Sequence, residues 1–262
     1  MSRRAGEPEN RSQSRSKNKD KAQNKGEDNK KAKGVSGESK WPRPEAPMTA
    51  RTLSGFLTTV RAWKQGRVEP VVGRIKEDQA DPFAVLVATV LSLRTRDAVT
   101  EVAFARLWPR ASTPSHLLDL PLKDLEEAIR PVGFYKTKAR ALHAIAAQIL
   151  SRHGGEVPAD LEALLALPGV GRKTANLVLT EGFGMEGICV DTHVHRILNW
   201  WGFVETKTPE ETEMVLRETL PRPWWIPVNG LLVSFGQTTC KPVGPRCGDC
   251  PLRPRCPYPG KR

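Results

Sequence analysis

A lysine and an aspartate stand at two helix starts in the second half of the chain, and both can perform acid–base or nucleophilic chemistry. In "LPGVGRKTANLVL", the pattern predicts a helix, a tight turn from Pro168 to Gly171, and a second helix whose first turn contains Lys173. The helix dipole disfavours a cation there, at a cost of about 0.3–1 kcal/mol. Lys173 is therefore either an exposed charge of no consequence or an amine kept for chemistry.

Asp191 follows in "VDTHVHRILNWW", directly before an apolar helical pattern, where either Asp191 or the adjacent Thr192 can cap the helix. Capping can be its whole role. The alternative is a carboxylate that caps one helix, faces the lysine at the start of another, and stabilises positive charge during a reaction. His193 and His195 follow on the same predicted helix, where histidines are more often packing or capping residues than metal ligands.

Four of the five cysteines crowd into the last 23 residues with the spacing C-x6-C-x2-C-x5-C. They are Cys240, Cys247, Cys250 and Cys256. Four thiolates on one short loop can wrap a single inorganic centre. Structural zinc is the alternative, but zinc sites usually have two close ligand pairs, and here only one pair is close. We therefore favour a [4Fe-4S] cluster, and we interpret the isolated Cys189 as a buried, reduced and inert side chain.

The turn at Gly169, Val170 and Gly171 places backbone N–H groups at a helix N-terminus, an arrangement suited to binding a phosphate. A glycine turn between two ordinary packed helices is the alternative. The turn alone is a moderate signal, because DNA-binding proteins that catalyse nothing also contain it.

The chain has 262 residues and a formal net charge of +12, which favours a polyanionic partner, nucleic acid before membrane. Its longest apolar run, Phe83 to Leu93, is too short to span a bilayer, and the N-terminal residues lack a hydrophobic secretory segment. The cysteines are arranged for a metal centre more than for disulfides. We therefore expect an intracellular, DNA-associated protein with no membrane contact, in the cytoplasm or nucleoid if the cell is bacterial.

Residues 1–47 consist mainly of Ser, Asn, Gly, Lys and Arg and are predicted to be a disordered basic tail. They hold 13 Lys or Arg against 7 Asp or Glu, so half of the excess positive charge lies in this segment. A solubilising leader and a non-specific DNA-tethering arm both fit this composition. We favour the arm, because neutralising phosphates needs no fixed structure.

From Thr49 onward the apolar residues have helical spacing nearly throughout, and no segment has a convincing strand pattern. Breaks between the helical segments fall at proline and glycine. The predicted helices cover 50–65, 82–93, 97–108, 122–130, 136–152, 160–167, 171–183, 192–201, 208–219 and 224–239. An all-α fold follows.

The lysine motif, the aspartate motif and the cysteine spacing, in this order, resemble the endonuclease III family of helix-hairpin-helix DNA glycosylases. The resemblance covers about Thr49 to Tyr258. It implies a two-domain helix-hairpin-helix glycosylase fold, with a six-helix barrel domain over 75–185 and an iron–sulfur cluster domain formed by 48–74 with 186–262. The cleft between the two domains would hold a flipped-out damaged base.

The resemblance also assigns roles to individual residues. Lys173 matches the catalytic lysine of the family, Asp191 matches its catalytic aspartate, and the four C-terminal cysteines match its cluster ligands. An uncharged lysine amine can attack C1′ of a damaged nucleotide and hold the sugar as a Schiff base. Contacts to DNA are expected from the hairpin and its flanks: Gly169, Val170, Gly171, Arg172 and His193.

Two positions depart from familiar members of the family. The chain reads "LSLRTRD" where others read "LSAQATD" or "LSSQTKD", so Arg94 stands where a glutamine enters the gap left by the flipped base. In "GFYKTKA", Phe134 stands where several members carry a leucine wedge, and an aromatic ring can stack between bases. A surface arginine and a core phenylalanine are the alternatives. Both departures bear on substrate preference more than on the class of reaction.

These observations predict a monomeric, bifunctional DNA glycosylase with AP-lyase activity, acting on oxidised pyrimidines or abasic sites in double-stranded DNA. An adenine-mismatch glycosylase shares the fold and the cluster but lacks a lysine at this position. A non-catalytic or altered-specificity DNA-binding relative of the same fold is the main alternative. An electron carrier is disfavoured, because the cysteine loop accompanies a basic helical body with a DNA-binding hairpin.

Overall fold

The computed structural model describes residues 47–66, 69–79, 81–258 and 260. The predicted basic tail, 1–47, lies outside these residues except for Pro47. Within the described ranges the chain is helical and has no β-strand, which confirms the all-α prediction. None of the helices in these ranges is both long enough and apolar enough to cross a bilayer.

Twelve α-helices make up the described part of the chain. They are α1 (Ala50–Lys64), α2 (Val71–Gln79), α3 (Pro82–Ser92), α4 (Asp97–Leu107), α5 (Pro114–Asp119), α6 (Leu122–Ala128), α7 (Tyr135–His153), α8 (Leu161–Leu165), α9 (Arg172–Leu177), α10 (Thr192–Trp200), α11 (Pro209–Thr219) and α12 (Pro227–Thr238). A π-helical turn, Val178–Gly182, continues α9, and a 3-10 turn, Arg222–Trp224, precedes α12. Every predicted segment contains a helix, whereas α2 and α5 are additional to the prediction.

Several helices begin at a capping residue followed by proline, which explains where the chain turns into each helix. The Asp81 side chain accepts from the Phe83 N–H at the start of α3, and Thr113 and Thr208 cap α5 and α11 in the same way. Proline is the first residue of all three helices, where its missing N–H costs nothing. Local sequence thus sets these boundaries before any packing is considered.

The first apolar cluster surrounds α3, whose residues from Phe83 to Leu91 are all buried. Helix α3 packs against α2, α4, α7, α9 and the π-helical turn. A helix that is apolar on every side must be central, because no face of it is suited to water. Helix α9, which contains Lys173, is therefore held directly against the centre of this cluster.

The second apolar cluster is built from α1, α10 and α12, and Leu252 adds to it from the cysteine loop. Helix α12 packs against both α1 and α10. Aromatic edge contacts support the cluster, with ring centroids 5.1 Å apart for Phe56 and Trp201 and for Trp63 and Phe235. Helix α10, which is capped by Asp191, is fixed by this cluster.

The two clusters meet at the short extended segment that precedes α10. Ile188 and Val190 belong to the second cluster, whereas Cys189 between them belongs to the first. The expected division at 74/75 falls inside α2, and Val71 and Val72 pack with the first cluster because they share that helix with Ile75.

Candidate active site

The hairpin before α9 fixes the position of Lys173. Gly169 has φ +76°, a left-handed conformation that favours glycine, and the Val170 N–H donates to the Leu167 carbonyl at 3.1 Å. Gly171 then caps α9, and Lys173 is the second residue of that helix with its side chain 43% exposed. The predicted hairpin and the predicted place of Lys173 in the first helical turn are both observed.

Asp191 caps α10 with one carboxylate oxygen and faces the lysine with the other. Its Oδ1 accepts hydrogen bonds from the N–H groups of His193 and Val194, at 2.7 and 3.0 Å. Its Oδ2 lies 3.7 Å from Lys173 Nζ, and the Asp191 side chain is only 8% exposed. The two roles considered for this residue are therefore not exclusive, because different oxygens perform them.

Cys189 links the segment before Asp191 to the backbone of Lys173. It is buried, as predicted, and its Sγ–H donates to the backbone carbonyl of Lys173 at 3.7 Å. Burial is the main cause that raises the pKa of this thiol, so it stays protonated and inert. The segment that leads into Asp191 is thereby tied to the first turn of α9.

A cavity of about 430 Å³ opens beside the pair and is large enough for one nucleobase. Lys173 and Asp191 line it together with Arg94 and His193. The other lining residues come from the start of α2, the loop between α3 and α4, the π-helical turn, the start of α10 and one face of α12. Residues far apart in sequence thus converge on one concave site.

His193 lines this cavity with its imidazole. Burial lowers its pKa first, and the nearby Arg196 and Lys173 lower it further, although Asp191 opposes them. Arg196 donates to His193 Nδ1 at 3.2 Å and to the Cys240 carbonyl at 2.7 Å. His195 instead is buried and hydrogen-bonds the Thr212 hydroxyl with Nδ1 at 2.7 Å, which makes it a packing residue.

Arg94 and Phe134 form a pair at the rim of the site. Both have left-handed backbone conformations, with φ +54° and +57°, which is uncommon for such side chains. The Arg94 guanidinium carbon lies 4.8 Å from the Phe134 ring centroid, and the ring is 60% exposed. Phe134 is therefore not a core residue. Two strained and exposed neighbours of this kind are typical of a functional element.

Lys138, on α7, is hydrogen-bonded to the loop between α3 and α4, which contains Arg94. It is 7% exposed, and its Nζ donates to the carbonyls of Leu91 and Leu93 and to the Thr95 hydroxyl, at 2.8, 2.6 and 3.0 Å. Burial lowers its pKa to about 8. The ammonium thereby ties α7, which starts after Phe134, to the loop that carries Arg94.

The side chain of Arg172 is held by an internal network. Its Nε and Nη2 donate to the two carboxylate oxygens of Glu213, at 2.8 and 3.0 Å, and Glu213 also accepts from Asn176 and Arg217. Glu213 is 3% exposed. The guanidinium of Arg172 thus fixes α9 against α11. Val170 is 6% exposed, whereas Gly169 and Gly171 are exposed, so the hairpin presents mainly glycine backbone at its surface.

The four C-terminal cysteines follow α12, and none of them is in a disulfide. Cys240, Cys250 and Cys256 pack against the second apolar cluster. Burial raises the pKa of Cys240 to about 12, Arg196 opposes this, and the other three thiols raise it further. The four thiols supply the chemistry of a tetrathiolate donor set, and the other three act electrostatically on Cys240. Within the described residues no group of three or more potential ligands lies in a metal-binding arrangement.

Several residues of the site were not predicted from the sequence, among them Lys138, Arg196, Glu213 and Asn229. Asn229 had a usable signal, because it is a polar residue within the apolar run "WWIPVNGLLV". The partners of Lys138 lie 43 to 47 residues away in the chain, so no local pattern could reveal them.

Comparison with known proteins agrees with this geometry. The family model of the HhH-GPD superfamily of base excision DNA repair proteins matches residues 87–222. Endonuclease III of Thermotoga maritima is 47% identical over 184 residues, which cover 70% of this chain and 86% of that protein. Endonuclease III-like protein 1 of Bos taurus is 42% identical over 212 residues, covering 77% of this chain and 70% of that one.

Among solved structures, a trapped covalent intermediate of endonuclease III and DNA, in an estranged-adenine complex, superposes with a TM-score of 0.70 at 34% identity. The match covers 78% of this chain and 94% of that one. These similarities confirm the resemblance carried by the lysine, aspartate and cysteine motifs. The chain belongs to the HhH-GPD superfamily of base excision DNA repair proteins, as a member of the endonuclease III family.

Proposed function

We propose that the protein removes oxidised pyrimidines from duplex DNA as a bifunctional DNA glycosylase and AP lyase. The observation that carries this proposal is the Lys173–Asp191 pair, with Nζ and Oδ2 3.7 Å apart at the edge of a cavity of nucleobase size. A half-exposed amine can reach the sugar of an extruded nucleotide, while a buried carboxylate stays beside it.

In the first step, Lys173 Nζ in its uncharged form attacks C1′ of the damaged nucleotide. The N–C1′ bond forms, the bond from C1′ to the base breaks, and its electron pair leaves with the base. Positive charge develops on the sugar as this bond lengthens. The Oδ2 atom of Asp191 lies where it stabilises that charge, and it can accept the proton that the amine releases.

In the second step, the sugar ring opens and the amine is linked to C1′ as a Schiff base. Loss of a proton from C2′ is then favoured, because the positive nitrogen accepts the electrons, and the bond from C3′ to its phosphate oxygen breaks. The DNA strand is thereby cut by β-elimination. Water finally hydrolyses the Schiff base and regenerates the free lysine.

The exposed Arg94–Phe134 pair suits the gap that an extruded nucleotide leaves in the duplex. The guanidinium can donate hydrogen bonds to the orphaned base, and the ring can stack between base pairs. The Gly169 and Gly171 amides, at the N-terminus of α9, suit a phosphate of the same strand. His193 would line the pocket for the extruded base.

We also propose that Cys240, Cys247, Cys250 and Cys256 hold a [4Fe-4S] cluster. When bound, the cluster cross-links the loop that follows α12. Cys240 is also linked through its carbonyl to Arg196, which fixes His193 in the cavity, so the loop is connected to the site by protein groups alone.

A division into a barrel domain and a cluster domain accompanies this proposal. The two apolar clusters support it, and we place the first boundary in the segment before α2 because that helix packs as a unit. Because its proposed substrate is DNA, we expect the protein to be associated with the genome, in the nucleoid if the cell is bacterial.

The test is borohydride trapping on duplex DNA that carries an oxidised pyrimidine. The wild-type protein is expected to form a covalent adduct through the reduced Schiff base. Lys173→Gln is expected to lose both trapping and strand cleavage and to keep its affinity for damaged DNA. Lys207→Gln, at an exposed lysine outside the cavity, is the matched control and should behave as wild type.

If Lys173→Gln is trapped at the wild-type rate, another amine performs the chemistry and the proposal fails. If the wild-type protein binds damaged DNA but neither traps nor nicks an abasic site, the protein is instead a non-catalytic relative of the family.

A further inference from the structure

One wall of the cavity beside Lys173 is a single face of α12. Asn229, Val233 and Gln237 line the cavity at intervals of four residues, which places them on one side of the helix. Gln237 is already engaged, since its Nε2 donates to Asp97 Oδ2 at 3.4 Å. Val233 has no polar side-chain atom. The open polar position on this wall is therefore Asn229.

Asn229 is 6% exposed, and no described residue donates a hydrogen bond to its Oδ1. A buried carbonyl without a donor costs about 1–3 kcal/mol, and such groups are rare in folded proteins. The cost is avoidable, because leucine has a similar size and has no polar atom to leave unpaired. A polar side chain retained at such a cost, on the wall of a cavity, is typical of a ligand-binding position.

We propose that Asn229 reads the extruded base, with Oδ1 accepting a hydrogen bond from N3–H of a thymine-derived lesion and Nδ2 donating to the adjacent ring carbonyl. This proposal rests on the proposed function and names a specificity-determining residue for it. A carboxamide presents one acceptor beside one donor, and the amide edge of a pyrimidine presents the complementary pair. Oxidation or saturation of C5 and C6 leaves that edge unchanged.

In the structure Asn229 Oδ1 has no donor and almost no accessible surface, so the proposed pairing requires the carboxamide to turn about its terminal torsion when the base enters the cavity. A thymine-derived base then supplies the missing donor at N3 and an acceptor at the adjacent carbonyl.

This contact is tested by a double-mutant cycle in which one change is made in the enzyme and the other in the substrate. Single-turnover excision is measured for wild type and Asn229→Leu on duplexes that contain 5,6-dihydrothymine or its N3-methyl derivative. N3-methylation should slow the wild-type protein about tenfold more than it slows the variant, because only wild type loses a hydrogen bond. Effects of methylation on base pairing cancel, since both enzymes receive the same duplexes.

Two further measurements separate base reading from a structural role. Asn229→Leu should cleave a preformed abasic site at the wild-type rate, since no base is present, and should unfold at an equal or higher temperature because an unpaired carbonyl is gone. Asn199→Leu is the control. That asparagine is buried outside the cavity with its Nδ2 bonded to the His195 carbonyl at 2.8 Å, so the change should lower stability and leave the ratio of the two substrates unaltered.

Equal effects of N3-methylation in wild type and Asn229→Leu would overturn the proposal, as would loss of abasic-site cleavage in the variant. If the leucine variant does not fold, Asn229→Ser is measured in its place with the same expected loss. Failure of the proposed function has a different signature, because the wild-type protein itself would then show neither trapping nor abasic-site cleavage.

Discussion

Asp191 caps a helix with one carboxylate oxygen, and we propose a chemical role for the other. Its Oδ1 satisfies two N–H groups at the start of α10, and its Oδ2 faces Lys173. Capping needs only an oxygen acceptor, whereas stabilising a developing cation needs the negative charge. Substitutions that remove one property at a time therefore separate the two roles.

Asp191→Asn keeps the cap and removes the charge. We expect base excision to slow by roughly 100-fold or more, whereas cleavage of a preformed abasic site is affected less, because departure of the base no longer has to be assisted. The free energy of unfolding should change by less than about 1 kcal/mol, since asparagine caps helices as well as aspartate does. Single-turnover kinetics and denaturant unfolding measure the two effects.

Asp191→Ala is the companion variant and removes both properties. It should lose excision to the same extent and in addition lose about 0.5–2 kcal/mol of stability with the cap. Excision at the wild-type rate by Asp191→Asn would contradict the proposed charge stabilisation and leave Asp191 as a capping residue.

Lys173 and Asp191 could be found from the sequence because the signal for each is local. A glycine turn or a capping carboxylate marks the start of a helix, and the candidate residue lies within two positions of that mark. The role of Lys138 could not be found in this way, because its burial depends on acceptors contributed by the end of α3 and the loop after it. Asn229 required knowledge of which face of α12 meets the cavity.

At the scale of elements, the end of α3 is held by a lysine of α7. Between the Lys138 pKa of about 8 and the ordinary lysine value of 10.5, the unfolded chain binds more protons than the folded protein. The contribution of this residue to the free energy of unfolding therefore rises with pH in that window, and it is constant below the window because both states are protonated.

The pH prediction is tested by urea unfolding of wild type and Lys138→Met at about pH 7 and about pH 10. The stability of wild type relative to this variant should increase with pH. Lys136→Met, at an exposed lysine of the same helix, should show no such pH-dependent difference from wild type. A constant difference between wild type and Lys138→Met would show that the buried amine keeps its ordinary titration.

Helix α12 contains two glycines that offer a matched comparison. A Cβ atom at Gly236 would lie 2.4 Å from His193 Nδ1, which is a severe clash, whereas one at Gly230 would meet nothing closer than 3.7 Å. We expect Gly236→Ala to lower the free energy of unfolding by about 1–3 kcal/mol. Gly230→Ala should raise it by about 0.5–1 kcal/mol, because alanine favours the helix. Thermal and denaturant unfolding measure both changes in stability. Equal effects of Gly236→Ala and Gly230→Ala would show that His193 moves aside freely.

Helix α2 and helix α5 show which parts of the fold the sequence left open. Length alone does not explain this, because α6 and α8 are similarly short and were predicted. Helix α2 carries a glycine in its interior and α5 lies directly between Pro114 and Pro121, so neither has a clear apolar period. The longer helices were predictable because their apolar spacing persists over three or more turns, and because proline or a capping side chain marks their starts. The way in which they enclose one cavity follows only from packing.

At the scale of the whole molecule, the cysteine loop and the catalytic cavity are joined through Arg196. This arginine is 4% exposed and contacts the Cys240 carbonyl on one side and His193 on the other. These two contacts hold the buried guanidinium through Nη2, whereas its Nε has no hydrogen-bond partner among the described residues. The cysteine loop and the wall of the cavity therefore share one buried side chain.

The loop itself is the subject of the last prediction. The purified protein is expected to be brown, with about four irons per chain and no stoichiometric zinc, as measured by metal analysis and visible absorption.

Removing the metal should lower the unfolding temperature, because Cys240, Cys250 and Cys256 pack against the second apolar cluster and the loop would lose its cross-links. Cys189→Ser, at the cysteine outside this loop, should leave the iron content unchanged, since its thiol bonds the Lys173 carbonyl instead. A colourless protein with one zinc per chain would contradict the cluster and leave the four thiols as a structural zinc site.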